Sequence, residues 1–137
     1  MTSQGDRQEG APDVVRVDLS PGPHAPGVAR RATREVLCRW ELPSLVDRVV
    51  LAVSELVTNS VRYGHPPLRL DLRRLRGCVR VDVHDAVAEE PRMHRRAPVE
   101  DDRESGRGLL IVSAVADEVG VEQVPGDGKQ VYASFDT

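Results

Sequence analysis

Apolar residues recur at spacings of three and four between Ser44 and Gly64, and this periodicity predicts an amphipathic helix. The valines of this pattern share one helical side, which is the expected core face: Val46, Val50, Val53 and Val57. Ser44 is the expected N-cap, and Gly64, followed by His65-Pro66-Pro67, is the expected end of the helix. The pattern therefore indicates one long helix at the centre of the chain.

The patterns on either side of this helix predict strands and two further helices. In chain order they are a strand at 14–19, a helix at about 27–41, a hairpin of strands 68–72 and 79–85, a helix opened by Gly106-Arg107-Gly108, and a hairpin of strands 119–124 and 131–135. This order is typical of an α+β fold. We expect a two-layer sandwich of helices on one mixed, mostly antiparallel sheet.

Strict alternation in the second strand of the first hairpin determines where its last residue points. Val79, Val81 and Val83 share one face, so Asp85 falls on the same, core-facing side, whereas Asp82 points outward. A carboxylate on a core face is costly unless a partner satisfies it. Asp85 is therefore either a strand-end residue near solvent or the acceptor for a specific group.

Composition limits the class of protein. A chain of 137 residues with 39% hydrophobic content suits one domain, expected at 13–137 after a disordered 1–12, with a polar loop at 86–105 as a lid. The net charge is −3 and the arginines are interleaved with acids, so neither a nucleic-acid face nor a membrane segment is expected. Cys38 and Cys78 lack metal-ligand spacing and suit reduced thiols, which favours the cytoplasm.

Three groups of polar or glycine residues could carry chemistry. Glu55, Asn59 and Arg62 follow helical spacing on the side opposite the valines, a pattern that a merely solvated face would also show. Gly106-Arg107-Gly108 precedes an apolar helix, where free backbone N–H groups can bind a phosphate, although a simple turn would also use glycine. With Asp85 between them, the order of the three groups becomes informative.

In this order the motifs resemble the GHKL ATP-binding fold, also called the Bergerat fold, of gyrase-type ATPases, heat-shock chaperones, histidine kinases and small anti-sigma-factor serine kinases. The tract Glu55-Leu56-Val57-Thr58-Asn59-Ser60-Val61-Arg62-Tyr63 is similar to the N box of that family. The resemblance implies that Glu55 is catalytic and polarises the attacking nucleophile, and that Asn59 binds the Mg²⁺ carried by ATP. It also implies that Asp85 accepts a hydrogen bond from the adenine amine.

Gly106-Arg107-Gly108-Leu109 resembles the second glycine box of the same family. The resemblance implies that Gly106, Arg107, Gly108 and Leu109 bind the phosphates of ATP, with Arg62 contacting phosphate or the lid. The expected cofactors are ATP and Mg²⁺, and the resemblance extends over about 14–135.

Two departures from the family pattern concern the residues expected around the adenine base. The tract Asp85-Ala86-Val87-Ala88-Glu89-Glu90-Pro91 lacks the glycines of the first glycine box, as in actinomycete-type members. Many members also place a threonine near Lys129 or Gln130 to support the aspartate, and neither residue is threonine. The first departure puts tight closure of the adenine pocket in question, and the second does so for the contact that would support Asp85.

The length and motif order resemble the anti-sigma-factor serine/threonine kinase branch. This implies a cytoplasmic regulator whose partners are a sigma factor and/or an anti-anti-sigma (STAS-type) protein with a phosphorylatable serine, and a homodimer is one assembly it allows. The alternative is a non-catalytic module, ATP-gated or nucleotide-free, that regulates a transcription factor by binding it. A histidine kinase catalytic part and a stand-alone ATPase fit less well, since no phosphoacceptor helix pair or transducing domain is evident.

Overall fold

The computed structural model describes residues 13–86, 103–124, 126 and 128–137. Within these residues the chain forms five strands, three α-helices and one 3₁₀ turn. They are β1 (Val14–Leu19), α1 (Ala25–Arg39), the 3₁₀ turn (Pro43–Leu45), α2 (Val46–Tyr63), β2 (His65–Leu75), β3 (Cys78–Ala86), α3 (Arg103–Val115), β4 (Glu118–Val124) and β5 (Gly128–Asp136). The α+β class predicted from the sequence is confirmed.

The strands form one sheet in the order β1-β2-β3-β5-β4. The pairings β1 with β2, β2 with β3, β3 with β5 and β4 with β5 are all antiparallel. Because the described strands contain no parallel pair, the expectation of a mixed sheet is corrected to an antiparallel one. Insertion of β5 between β3 and β4 places Lys129 directly opposite Asp85 in the register.

The core lies between the helices and one face of the sheet. Alternate residues of β2 and β3 point into it, and their exposure is at most 2%: Leu68, Leu70, Leu72, Val79, Val81 and Val83. Val53 and Val57 of α2 are fully buried against them, as the valine periodicity predicts. Phe135 of β5 is also fully buried, so the last strand belongs to the same core.

Helix α2 begins later than the sequence pattern suggests. The 3₁₀ turn Pro43–Leu45 precedes it, Leu45 occupies the N-cap position, and no side chain caps the helix. The prediction of Ser44 as N-cap is therefore wrong, because the tighter turn takes up that residue. The predicted end is confirmed, since α2 stops at Tyr63 and the Gly64 N–H donates to the Ser60 carbonyl.

The bounds of α1 and α3 also differ from the predictions. Helix α1 begins at Ala25, with Pro26 in its first turn, where a missing N–H removes no helical hydrogen bond. Helix α3 begins at Arg103, so the tract Gly106-Arg107-Gly108 lies inside the helix instead of preceding it.

Only the two ends of the predicted lid lie within the described residues, and the predicted N-terminal segment lies outside them. Ala86 belongs to β3 and residues 103–105 belong to α3, so these positions are not loop. The rest of the predicted lid, 87–102, and the predicted disordered segment, 1–12, lie outside the described residues.

The other face of the sheet carries a network of arginines and aspartates. Asp71 and Asp82 point to this face yet are only 2% and 1% exposed. Arg69 donates to Asp71 at 3.1 Å and Arg80 donates to Asp82 at 2.9 Å. Burial opposes the charge of Arg80, but its hydrogen bond with Asp82 and the attraction of nearby acids outweigh this effect and raise its pKa. This polar face is thereby internally paired.

Candidate functional site

The polar side of α2 meets α3 at a glycine. Glu55 and Asn59 are half-buried and lie one turn apart. Gly108 is buried against them: a Cβ atom at this position would lie 3.1 Å from Asn59 Nδ2, 3.3 Å from Asn59 Oδ1 and 3.3 Å from Glu55 Oε1. The structure thus brings together two of the three predicted motifs, and a side chain at position 108 would be in tight contact with both polar residues.

The position of the glycines inside α3 changes how they can meet a phosphate. In a helix that starts at Arg103, the N–H groups that lack helical partners end at residue 105, so the N–H of Gly106 is already the first one within the helical ladder. The N–H of Gly108 falls within the helical ladder, so this glycine provides close approach to α2 instead of a free donor. Leu109 is half-buried and packs on the core. The side chain of Arg107 lies outside the described residues.

Asp85 is fully buried and its carboxylate is engaged by two side chains. The hydroxyl of Ser60 donates to Oδ2 at 2.8 Å. The ammonium of Lys129 lies 3.1 Å from both Oδ1 and Oδ2, which makes an ion pair with one buried partner. The prediction that Asp85 faces the core and needs a partner is confirmed, and the described structure supplies that partner from the chain itself.

Two glycines make room for this carboxylate. A Cβ atom at Gly64 would overlap the Asp85 carboxylate, and one at Gly128 would overlap the Asp85 backbone carbonyl. Gly128 also has a φ of 95°, which a residue with a side chain rarely adopts. Because Ser60 follows Asn59 directly on α2, its bond to Asp85 links the base-reading candidate to the N-box residues.

Arg62 occupies the exposed end of the same helix. Its guanidinium carbon lies 5.9 Å from the centroid of the Tyr63 ring, a cation–π distance. Its predicted contact with phosphate or with the lid stays a prediction.

The oxygen atoms of the site suit a hard cation that arrives with a nucleotide. Within the described residues no three His, Cys, Asp or Glu side chains are grouped as a metal site. Mg²⁺ is usually held by one or two protein oxygens together with water and substrate phosphates. The amide oxygen of Asn59, beside Glu55, fits that limited role.

Lys129 and Ser60 are site residues that the sequence reasoning did not assign. A signal for Lys129 was present, because Val131, Ala133 and Phe135 alternate and Lys129 continues their inward face. Placing it beside Asp85 requires the β3–β5 pairing, which alternation does not specify. Ser60 lies three residues after Val57, on the buried side of α2, where a hydroxyl needs a partner.

Comparison with known families agrees with this architecture. The model of the histidine kinase-like ATPase domain matches residues 19–135, so the chain belongs to that family. Membership implies ATP binding, and the fold described above is consistent with it. No curated protein matches the chain. Among the described helices, none combines the length and apolar character needed to cross a membrane.

Proposed function

We propose that this chain is an ATP-binding regulator with serine/threonine protein kinase activity toward an anti-anti-sigma (STAS-type) partner. The observation that carries the proposal is the packing of Gly108 against both Glu55 and Asn59, which holds a carboxylate and a carboxamide together beside α3. The same fold serves many chemistries, so family membership alone would not support a kinase. We place the protein in the cytoplasm, with a sigma factor as its second binding partner.

The proposed reaction transfers the γ-phosphoryl group of ATP to a serine hydroxyl of the partner. Glu55 accepts the hydroxyl proton as the serine oxygen bonds to phosphorus, the bond from the γ-phosphorus to the β–γ bridging oxygen breaks, and ADP leaves. Asn59 would hold Mg²⁺ through its amide oxygen, and the bound ion would supply positive charge at the phosphates.

The test is phosphate transfer from radiolabelled ATP to a purified serine-containing STAS-type partner. We expect Glu55→Gln to lower transfer by about 100-fold or more, which is the typical contribution of a general base. Binding of ATP should persist, because Glu55 contacts the nucleophile and not the nucleotide. Glu35→Gln, at an exposed position of α1, is the matched control and should transfer normally. Equal transfer by Glu55→Gln and wild type would refute the assigned base.

A second experiment tests the nucleotide site separately from transfer. Titration of ATP with Mg²⁺ into Asn59→Ala should show affinity at least about tenfold below that of wild type, equivalent to about 1.4 kcal/mol. The same titration without Mg²⁺ should show a smaller difference between the two proteins. An equal loss of ATP affinity with and without Mg²⁺ would show that Asn59 does not ligate the ion.

The alternative is a non-catalytic module that regulates a transcription factor through binding alone. The ion pair between Lys129 and Asp85 favours it, since the chain satisfies this carboxylate without nucleotide. Capture of the partner with equal affinity in wild type and Glu55→Gln, without phosphate transfer by either, would support the module.

A further inference from the structure

The carboxylate of Asp85 leaves no exposed surface for a ligand. Its exposure is 0%, Ser60 donates to Oδ2, and Lys129 Nζ lies 3.1 Å from both oxygens. A base that is to be read by Asp85 must first displace one of these donors.

Lys129 is the donor on the solvent side. Its side chain is 27% exposed, whereas Ser60 is 5% exposed and belongs to the packed side of α2. Of the groups around Asp85, Lys129 is therefore the donor that an approaching base can reach, whereas the carboxylate itself is not exposed.

The site therefore presents a hydrogen-bond donor, the Lys129 ammonium, where the Asp85 carboxylate alone would present an acceptor. The 6-amino group of adenine is a donor and requires an acceptor, but the exposed group is the Lys129 ammonium, which has only donors. A 6-oxo purine presents an acceptor at the same position and can bond to Lys129 while the ion pair stays intact. A site discriminates strongly only where a polar group of the protein loses its partner with the wrong ligand.

We propose that Lys129 is a specificity-determining residue of the nucleotide site, which by occupying Asp85 abolishes selectivity for 6-amino over 6-oxo purines. This inference rests on the proposed nucleotide site between Glu55, Asn59 and Asp85. It concerns recognition of the base alone and is independent of whether a phosphate is transferred.

The test compares ATP with inosine triphosphate, which carries a 6-oxo group in place of the amine. Each is titrated with Mg²⁺ by calorimetry into wild type, Lys129→Thr and Gln130→Thr. Gln130 is the matched control, because it neighbours Lys129 but points to the other face of the sheet, where it donates to Glu122 at 3.1 Å. Thermal unfolding establishes that each variant is folded.

In wild type we expect the two dissociation constants to agree within about threefold, a difference worth less than 1 kcal/mol by the affinity relation. Lys129→Thr should bind ATP at least about tenfold more tightly than inosine triphosphate, because Asp85 then accepts from the adenine amine. Gln130→Thr should behave as wild type.

A wild-type preference for ATP over inosine triphosphate of about tenfold or more would overturn the inference and leave the proposed function intact, and so would equal binding of the two nucleotides by folded Lys129→Thr. Absence of binding of either nucleotide to both proteins would overturn the proposed function itself. The comparison within wild type needs no substitution, so it decides the question even if Lys129→Thr fails to fold.

Discussion

At the scale of single residues, the buried carboxylate of Asp85 is the most informative feature of the chain. It is an ionised group on a core face, and burial of a charge is tolerated only when hydrogen bonds and an opposite charge compensate it. Ser60 and Lys129 provide both. The stability of the fold should therefore depend on polar residues that lie within its apolar layer.

Ser60→Ala should destabilise the protein by about 1.5–3 kcal/mol, the range for a hydrogen bond to a charged group. The substitution removes the donor to Asp85 Oδ2 and leaves that oxygen with Lys129 alone. Urea unfolding measures the change. Ser113→Ala, at an exposed position of α3, is the matched control and should alter stability by less than about 0.5 kcal/mol. Equal effects of the two substitutions would contradict the assigned role of Ser60.

Tyr132 gives the protein a predictable response to alkaline pH. Burial of its phenol and the negative charge of Glu118, 3.3 Å away, raise its pKa above the usual 10.0. Because the folded pKa exceeds the unfolded value, this contribution to stability is complete below about pH 10 and is lost as pH rises through the folded pKa. Unfolding free energies measured across this range should fall less steeply for Tyr132→Phe than for wild type.

The acidic neighbour of Tyr132 provides an independent check. Glu118→Gln removes the charge that opposes ionisation, so the midpoint of the phenol titration, followed by ultraviolet absorbance, should move to lower pH. An unchanged midpoint would exclude Glu118 as a cause of the raised pKa.

Sequence reasoning at this scale located the carboxylate but not the residues around it. Asp85 was predictable because alternation with Val79, Val81 and Val83 is strictly local. Its partners come from α2 and β5, at separations of 25 and 44 residues, and no local pattern encodes such contacts. Glu55 and Asn59 were predictable as a pair because both lie within two turns of one helix.

At the scale of elements, the contact between α2 and α3 positions the candidate catalytic face. Arg48 of α2 also donates to the carbonyl of Val115 at the end of α3, with a distance of 3.4 Å. The two helices are thus connected both at Gly108 and at the C-terminus of α3. A displacement of α3 at Gly108 should therefore change the positions of the Glu55 and Asn59 side chains.

Gly108→Ala should weaken binding of ATP with Mg²⁺ by about tenfold, because Asn59 has to move away from the new methyl group. Overall stability should change little, since replacing a helical glycine by alanine gains about 1 kcal/mol that offsets the tight contact. Calorimetry and urea unfolding separate the two effects.

Gly27→Ala in α1 is the matched control for this substitution. Its new Cβ would meet only the end of Arg30, at an ordinary distance of 3.8 Å. This variant should gain up to about 1 kcal/mol of stability and keep wild-type affinity for ATP. Unchanged ATP affinity in both glycine variants would show that the Gly108 contact does not position Asn59.

The start of α3 illustrates what an element pattern leaves out. Glycine is the residue most often associated with helix ends, so Gly106 and Gly108 predicted a boundary. In the structure the glycine at 108 packs closely against α2, and the helix extends through it back to Arg103. Tertiary contact overrides the low helix propensity of glycine here.

At the scale of the whole molecule, one core joins the helical layer to all parts of the sheet. Helices α1 and α2 and strands β2, β3 and β5 contribute to the same buried cluster. The opposite face of the sheet is satisfied by its own arginines and aspartates, so it does not require a second apolar layer. The fold class was predictable because these two kinds of face produce clear periodicities. The strand order was not, since the insertion of β5 beside β3 depends on non-local pairing.

Phe135→Ala should destabilise the protein by about 3–5 kcal/mol, the usual cost of removing a buried aromatic side chain. Because the layers share one core, unfolding should stay a single transition when circular dichroism and Trp40 fluorescence are compared. Leu110→Ala, at a residue 65% exposed, is the control and should change stability by less than about 0.5 kcal/mol. Two separate transitions in wild type would show that the layers are independent.

The reactivity of the Lys129 amine should also report on the state of the ion pair at Asp85. Lys129 is the single lysine of the chain, so an amine-directed reagent has one side-chain target, in addition to the α-amino group. The Lys129 side chain is only 27% exposed and its Nζ atom is engaged by Asp85, so a reagent has limited access to it and acylation should be slow. Mass spectrometry of a chymotryptic peptide containing Lys129 would follow that reaction rate. A ligand that separates Lys129 from Asp85 would change the rate of Lys129 acylation. Mixtures of candidate ligands could therefore be screened without labelling any of them.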